Sequence, residues 1–85
     1  MVNNMDRFNG SAPAVPCYQL EDTDIHTWFE RDRQCVELRS RLDDETILEW
    51  WDDDVSQAVD DGFLNPRDWH RSAYEYALHL NVITV

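Results

Sequence analysis

The stretch CVELRSRLDDETILEWW, residues 35–51, contains two short apolar segments separated by a polar turn. In the first segment, valine and leucine alternate with glutamate and arginine, which is the period of a strand with one buried face. The second segment, TILEWW, is rich in the β-branched and aromatic residues that strands favour. The pattern predicts an antiparallel pair of strands over residues 35–39 and 46–51.

The alternation also predicts how the two strands pair. The apolar pairs in the expected register are Val36 with Trp50 and Leu38 with Leu48. These four side chains then share one face of the sheet. The same register sets Glu37 opposite Glu49, a like-charge pair that counts against it. Because Trp50 and Trp51 are adjacent, their rings are expected on opposite faces, with one in the core and the other partly exposed or covered by a second layer.

The residues before this pair extend the sheet. The polar sequence at residues 31–33 predicts a turn, so the segment around Trp28 supplies a first strand and completes a three-strand meander. Residues 1–20 contain glycine, serine and two prolines without an apolar period, which predicts a flexible arm. Phe8, Val15 and Tyr18 are the side chains able to hold part of it to the body. Residues 21–85 are then predicted to form a single small α+β domain.

The residues after the pair allow two interpretations. We favour a strand to Trp51, an aspartate N-cap at Asp52 or Asp53, and a short helix to Asp61. The alternative is one amphipathic helix over residues 44–61, closed by Gly62, in an all-α, three-helix fold. The first is favoured because three consecutive aspartates are poor helix formers in mid-helix.

A second helix is predicted near the end of the sequence. Asn65 and Pro66 suit the N-cap and first helical positions, and a stripe of apolar residues then runs from Trp69 to about Leu80. The last residues, 82–85, are expected to pack as a tail or a short strand.

The charge of the chain is concentrated in one segment. The formal net charge is −11, with seven Arg and no Lys. Residues 43–66, which we call the acidic segment, contain half of the chain's eighteen acids and no base. These nine acids are Asp43, Asp44, Glu45, Glu49, Asp52, Asp53, Asp54, Asp60 and Asp61.

The acidic segment is the main functional signal. Carboxylates on a rigid scaffold can imitate nucleic-acid phosphates and occupy a basic groove on a partner, since phosphates make most of the nonspecific contacts in such grooves. We therefore predict that these nine acids, with Trp50 as an aromatic anchor, bind a protein with a basic surface that handles nucleic acid. The alternative is that the acids only form a solvated face that keeps the protein soluble.

Other classes of function lack a pattern to support them. The three His residues form neither HxxxH nor HExxH, and no glycine-rich phosphate loop or nucleophile motif is present, so we predict no metal, no cofactor and no catalysis. Cys17 and Cys35 are expected as two reduced thiols, with a single bridge between them as the alternative. The absence of an apolar run predicts a cytoplasmic protein. The negative charge disfavours direct binding to nucleic acid or membrane.

In size, charge and aromatic content the chain resembles the small acidic proteins that phages and mobile elements make to disable host systems. These include DNA mimics that inhibit restriction enzymes, anti-CRISPR proteins, and inhibitors of polymerases or repair enzymes. The residues that carry the resemblance are the base-free acids from Asp43 to Asp61 and the flanking Trp50, Trp51 and Trp69. The resemblance is to this class of proteins, and it implies an inhibitor acting in the host cytoplasm.

A second function is also compatible with the sequence. The last helix, with Trp69, Tyr74 and Tyr76, and an exposed Trp offer an aromatic face. Trp and Tyr are enriched among the residues that dominate binding energy at interfaces. The alternative function is therefore a protein-interaction or oligomerisation module, including a homodimer, in which the acids serve only solubility.

Overall fold

A computed structural model describes residues 15–85, and residues 1–14, most of the predicted arm, lie outside the described part. A single 3-10 turn at Leu20–Asp22 precedes the first strand. The strands are β1 (Thr23–Glu30), β2 (Arg33–Ser40) and β3 (Thr46–Trp51), and the helices are α1 (Asp53–Asp60) and α2 (Trp69–His79). A three-strand antiparallel meander followed by two helices confirms the predicted α+β fold. The all-α alternative is wrong because residues 46–51 are paired as a strand.

The sheet has the order β1-β2-β3, and the register between β2 and β3 is the predicted one. The pairs are Val36 with Trp50, Leu38 with Leu48, and Glu37 with Glu49. β1 and β2 are joined by Arg31 and Asp32, which both have positive φ, of 52° and 68°. Two consecutive left-handed residues give a turn whose twist matches that of the flanking strands, here without a glycine.

The core lies between one face of the sheet and the two helices. Val36 and Leu38 of the central strand are fully buried, and Trp50 is only 7% exposed. The helices cover these side chains with small or β-branched residues, chiefly Val55 of α1 and Ala77 of α2. The expectation that one of the two adjacent tryptophans fills the core is confirmed, and the ring that does so is Trp50.

The second helix begins later than predicted, so the assignment of Asn65 and Pro66 to its start is wrong. The N-cap is Asp68, whose Oδ1 accepts from the backbone N–H of Arg71 at 3.3 Å. Asn65 instead closes a turn, because its Oδ1 accepts from Arg67 N–H at 3.0 Å and its own N–H donates to Ser72 Oγ at 2.9 Å. Asparagine favours both structures, and the contact with Ser72 decides between them.

The segment before β1 is attached to the end of the chain. Cys17 and Thr84 form a parallel bridge in which Tyr18 N–H donates to Thr84 O and Thr84 N–H donates to Pro16 O, both at 2.8 Å. The buried hydroxyl of Tyr74 donates to the Tyr18 carbonyl at 2.6 Å. Tyr18 therefore holds residues 16–18 of the predicted arm against the body. Cys17 is exposed, and both Cys17 and Cys35 are free thiols.

Candidate binding surface

The fold divides the acidic segment into separate regions. Three acids, Asp43, Asp44 and Glu45, lie in the β2–β3 turn, and we call them the turn acids. Five acids, Asp52, Asp53, Asp54, Asp60 and Asp61, lie on or beside α1, and we call them the α1 acids. Glu49 is on β3 between the two groups. Because β3 has six residues, the groups are about 20 Å apart at the usual rise of a strand.

Local structure engages the turn acids. Asp43 Oδ1 accepts from the backbone N–H of Glu45 at 3.2 Å. Asp44 has a left-handed backbone with φ 62°, and its Oδ1 lies 2.9 Å from Nη2 of Arg39. The same Arg39 nitrogen also donates to the Asp44 carbonyl at 2.9 Å. The acidic segment contains no base in sequence, but the fold brings Arg39 of β2 to its first part.

The Glu37–Glu49 pair that counted against the register is accommodated by turning the two carboxylates apart. Glu37, with a side chain 14% exposed, accepts from the Thr46 hydroxyl and lies 3.9 Å from Arg39 Nε. Glu49 instead accepts from the indole N–H of Trp51 at 3.1 Å. Each carboxylate therefore has its own polar neighbour, and the like-charge pair does not prevent the register that buries the apolar side chains.

Four of the five α1 acids form one exposed stripe. At 3.6 residues per turn, Asp53 and Asp60 align along one side of the helix, and Asp54 and Asp61 align along the adjacent side. Val55, a buried residue of α1, points toward the sheet on the opposite side. All of the α1 acids are exposed, and among residues 15–85 no cationic side chain lies within salt-bridge distance of their carboxylates.

The two ends of this stripe have opposite relations to the helix dipole. Asp53 and Asp54 lie in the first turn, where negative charge stabilises a helix. Asp60 and Asp61 lie at the C-terminal end, where negative charge is unfavourable and where α1 has no basic residue. Stability of the helix alone therefore does not account for Asp60 and Asp61.

Asp52 is at the predicted N-cap position but does not cap with its side chain. Its φ is 50°, and its side chain accepts no hydrogen bond from the first turn. Its backbone instead makes the connection, since Asp52 N–H donates to Gln34 O at 2.7 Å and its carbonyl accepts from Val55 N–H at 3.0 Å. The start of α1 is thereby fixed to β2, and the Asp52 carboxylate is left exposed.

The two adjacent tryptophans have different environments. Trp50 was predicted as a partner-binding anchor, but the core takes most of its surface. Trp51 points to the opposite face of the sheet, where its ring meets Trp28 edge-on with a centroid distance of 5.7 Å. Cys35 lies between these two tryptophans in the sheet, because it pairs with Trp28 of β1 and with Trp51 of β3. Cys35 is fully buried. Burial raises the pKa of the Cys35 thiol, and the charge of Glu30 raises it further.

A contact between two aromatic rings beside α1 was missed by the sequence reasoning, which named Tyr76 but not Phe63. Phe63 and Tyr76, which we call the aromatic ridge, have centroids 4.5 Å apart, and Phe63 is 40% exposed. The ridge separates two clefts, one of about 230 Å³ toward α1 and one of about 380 Å³ toward Glu75 and His79. The sequence signal for Phe63 was an apolar pair directly after Gly62, between the two predicted helices.

The helix face assigned to the alternative function is only partly available. Tyr74 is buried and bonded to Tyr18 O, so it offers no surface, while Trp69 and Tyr76 remain half-buried. Within the described part of the chain, no helix has the length and apolar character needed to cross a bilayer. In that same part, no three His, Cys, Asp or Glu side chains are grouped to hold a metal ion. No protein-family model, curated protein or solved structure matches this chain.

Proposed function

We propose that this protein acts by binding rather than by catalysis, and that the α1 acids occupy a basic surface on a partner protein that handles nucleic acid. The observation that carries the proposal is the exposed stripe formed by Asp53, Asp54, Asp60 and Asp61 on the side of α1 away from the sheet. Inhibition of the partner, of the kind made by phage DNA mimics, is the consequence we propose for such binding.

The spacing of these charges supports imitation of a phosphate backbone. The four acids of the stripe extend over residues 53–61, which is about 12 Å of helix axis at 1.5 Å per residue. The average is about one negative charge per 3 Å, close to the value of about 3.4 Å for one strand of duplex DNA, with the charges in two pairs about 9 Å apart along the axis. A groove lined with arginine or lysine to follow one nucleic-acid strand would therefore meet a similar average charge on α1, presented at its two ends.

The position of Asp60 and Asp61 also supports a binding role. At low ionic strength, each acid at the C-terminal end of a helix lowers the stability of the helix by about 0.3–1 kcal/mol. A solvated face selected only for solubility has no need to place two acids there, because the rest of the surface is available. A partner that contacts both ends of the stripe does need them.

The experiment compares two variants of equal charge. The α1 variant carries Asp53→Asn, Asp54→Asn, Asp60→Asn and Asp61→Asn. The control carries Asp43→Asn, Asp44→Asn, Glu45→Gln and Glu49→Gln, which remove the same number of charges and keep side-chain oxygens for the turn and for Trp51. Proteins that bind a DNA column are isolated from a host lysate and passed over each immobilised form. For the captured protein, the release of bound, labelled duplex DNA is then measured.

We expect wild type and the control to capture the same protein and to displace its DNA, with binding that weakens as salt is raised. The α1 variant should lose at least tenfold in affinity, which requires only about 1.4 kcal/mol spread over four contacts. Equal loss in both variants would mean that net charge, not the stripe, governs binding. Binding unaffected by either variant or by salt would overturn the proposal and favour the aromatic alternative.

A further inference from the structure

The smaller cleft beside the aromatic ridge combines rings with carboxylates. It has a volume of about 230 Å³ and lies between α1 and the ridge. The side chains that give it its chemistry are Trp50, Asp54, Gln57, Asp61, Phe63 and Tyr76. It therefore has an acidic wall on the helix and an aromatic wall opposite.

The acidic wall follows from helical spacing. Asp54, Gln57 and Asp61 are three and four residues apart, so they share one side of α1. Gln57 Nε2 donates to Asp61 Oδ1 at 3.0 Å, which orients that carboxylate at one end of the cleft. Asp54 lies at the other end, about 10 Å away along the axis. A cationic group in the cleft can therefore approach the Asp54 carboxylate at one end or the Asp61 carboxylate at the other.

The aromatic wall is a continuous set of rings. The centroids of Phe63 and Tyr76 are 4.5 Å apart, and those of Trp50 and Tyr76 are 6.0 Å apart. Phe63 is the most accessible of the three, while Trp50 contributes only the small part that the core leaves exposed. The negative faces of such rings attract a cation that has been partly removed from water.

We propose that this cleft binds an arginine side chain of the partner protein, an inference that rests on the proposed function and identifies one of its contacts. A guanidinium is planar, stacks on aromatic rings and pairs with carboxylates through two parallel hydrogen bonds. A lysine ammonium is more strongly hydrated and offers no planar surface to the rings. An anion or an uncharged apolar group would leave the charges of Asp54 and Asp61 without a cation.

The larger cleft on the other side of the ridge provides a contrast within the same molecule. It shares Phe63 and Tyr76 but presents Glu75 and His79 instead of two aspartates. His79 lies 5.9 Å from Phe63 between ring centroids and stacks on it, so that side of Phe63 already has an aromatic neighbour. The pair of carboxylates therefore favours the α1 side of the ridge for a cation.

The test uses hexa-arginine and hexa-lysine peptides, which have the same length and charge. Affinity is measured for wild type, for Phe63→Leu, which keeps every acid, and for the four-residue α1 variant. We expect wild type to bind hexa-arginine about tenfold more tightly than hexa-lysine, as a cation–π contact on partly desolvated rings allows. Phe63→Leu should bring hexa-arginine to the hexa-lysine level, and the α1 variant should weaken both peptides.

A measurement on wild type alone guards against a folding defect in Phe63→Leu. Hexa-arginine should shift the NMR resonances of the Phe63 ring and the Trp50 indole N–H, while hexa-lysine should shift them much less. One outcome would overturn the arginine site in the cleft and leave the proposed function standing. In that outcome the two peptides bind equally well, the ring resonances do not shift, and the α1 variant binds both peptides more weakly. Binding that is equally strong in the α1 variant would overturn the proposed function itself.

Discussion

The turn acids and the α1 acids come from one stretch of sequence with similar composition, yet the fold gives them different neighbours. At the turn, the Asp43 carboxylate accepts from the backbone N–H of Glu45, and Asp44 pairs with Arg39. On α1, the carboxylates project from an exposed helix side, and among residues 15–85 only Gln57 is within hydrogen-bond distance of one of them. The acidic segment is therefore not one surface, because a six-residue strand separates the turn acids from the α1 acids.

The largest effect is expected from loosening α1 from the sheet. Val55 is 1% exposed and packs beneath the acidic stripe. Val55→Ala should lower the free energy of unfolding by about 2 kcal/mol, through lost apolar burial and the cavity left behind. Chemical denaturation measures this value. Val59→Ala, at a half-buried position on the same helix, is the control and should cost less than half as much. Equal costs would mean that α1 is not anchored mainly at Val55.

The next effect concerns the arginine that pairs with Asp44 in the β2–β3 turn. Arg39 lies near Asp44 and Glu37, and its side chain is mostly buried. Arg39→Ala should destabilise the fold by about 1–2 kcal/mol, since Glu37 then keeps a largely buried carboxylate without a nearby cation. The control is Arg71→Ala, which removes an exposed pair with Asp68 and should change stability by no more than about 0.5 kcal/mol. A cost for Arg39→Ala as small as that of the control would show that the turn does not depend on this ion pair.

A smaller effect of opposite sign distinguishes the two ends of the α1 stripe. The double change Asp60→Asn and Asp61→Asn should raise the free energy of unfolding by about 0.5–1 kcal/mol, because it removes negative charge from the C-terminal end of the helix. Asp53→Asn with Asp54→Asn should lower it by a similar amount. Both doubles should weaken binding of the basic partner. Thermal melts and affinity for the partner are both measured. If the Asp60→Asn and Asp61→Asn variant is stabilised and binds the partner as well as wild type, these two acids have no role in binding.

The smallest effect concerns the thiol between the two tryptophans. The pKa of Cys35 is raised first by burial, then by Glu30, and also by Asp52 and Glu49, while Arg33 lowers it. A raised folded-state pKa contributes stability below the unfolded pKa, about 8.5, and that contribution is lost as pH rises through the folded value. The free energy of unfolding should therefore decline above about pH 8.5, and Cys35→Ala should reduce that decline.

Thiol reactivity gives a second measurement for the same comparison. At neutral pH the exposed Cys17 should react with a thiol reagent while buried Cys35 does not. Asp52→Asn should slightly lower the pKa of the Cys35 thiol. Asp43→Asn should leave that pKa unchanged, because Asp43 is not among the charges that act on this thiol. Rapid reaction of two thiols in the folded protein would contradict the burial of Cys35.

Much of the fold could be predicted because its decisive signals are local. The alternation in residues 35–39 and the composition of residues 46–51 determined both the meander and its register. The start of α2 was predicted three residues early because Asn65 suits a helix cap and a turn equally well, and the choice depends on Ser72 seven residues later. Helix and turn propensities alone do not predict that contact.

The candidate surface was less predictable than the fold. The acids were visible in the sequence, but the pairing of Asp44 with Arg39 depends on where the β2–β3 turn places the two side chains. The burial of Trp50 and Tyr74, and the meeting of Phe63 with Tyr76, are products of tertiary packing. Among the α1 acids, the alignment of Asp53 with Asp60 was recoverable from the seven-residue spacing once a helix was assumed.

The parallel bridge between Cys17 and Thr84 has a mechanical consequence. The two segments run in the same direction, so pulling residues 15 and 85 apart slides one segment along the other instead of peeling them open. Both 2.8 Å hydrogen bonds of the bridge are then loaded at once and must break together. A tension applied across the body, for example by a machine that unfolds and threads proteins, would meet its first resistance at this clasp, before the sheet or the helices are strained.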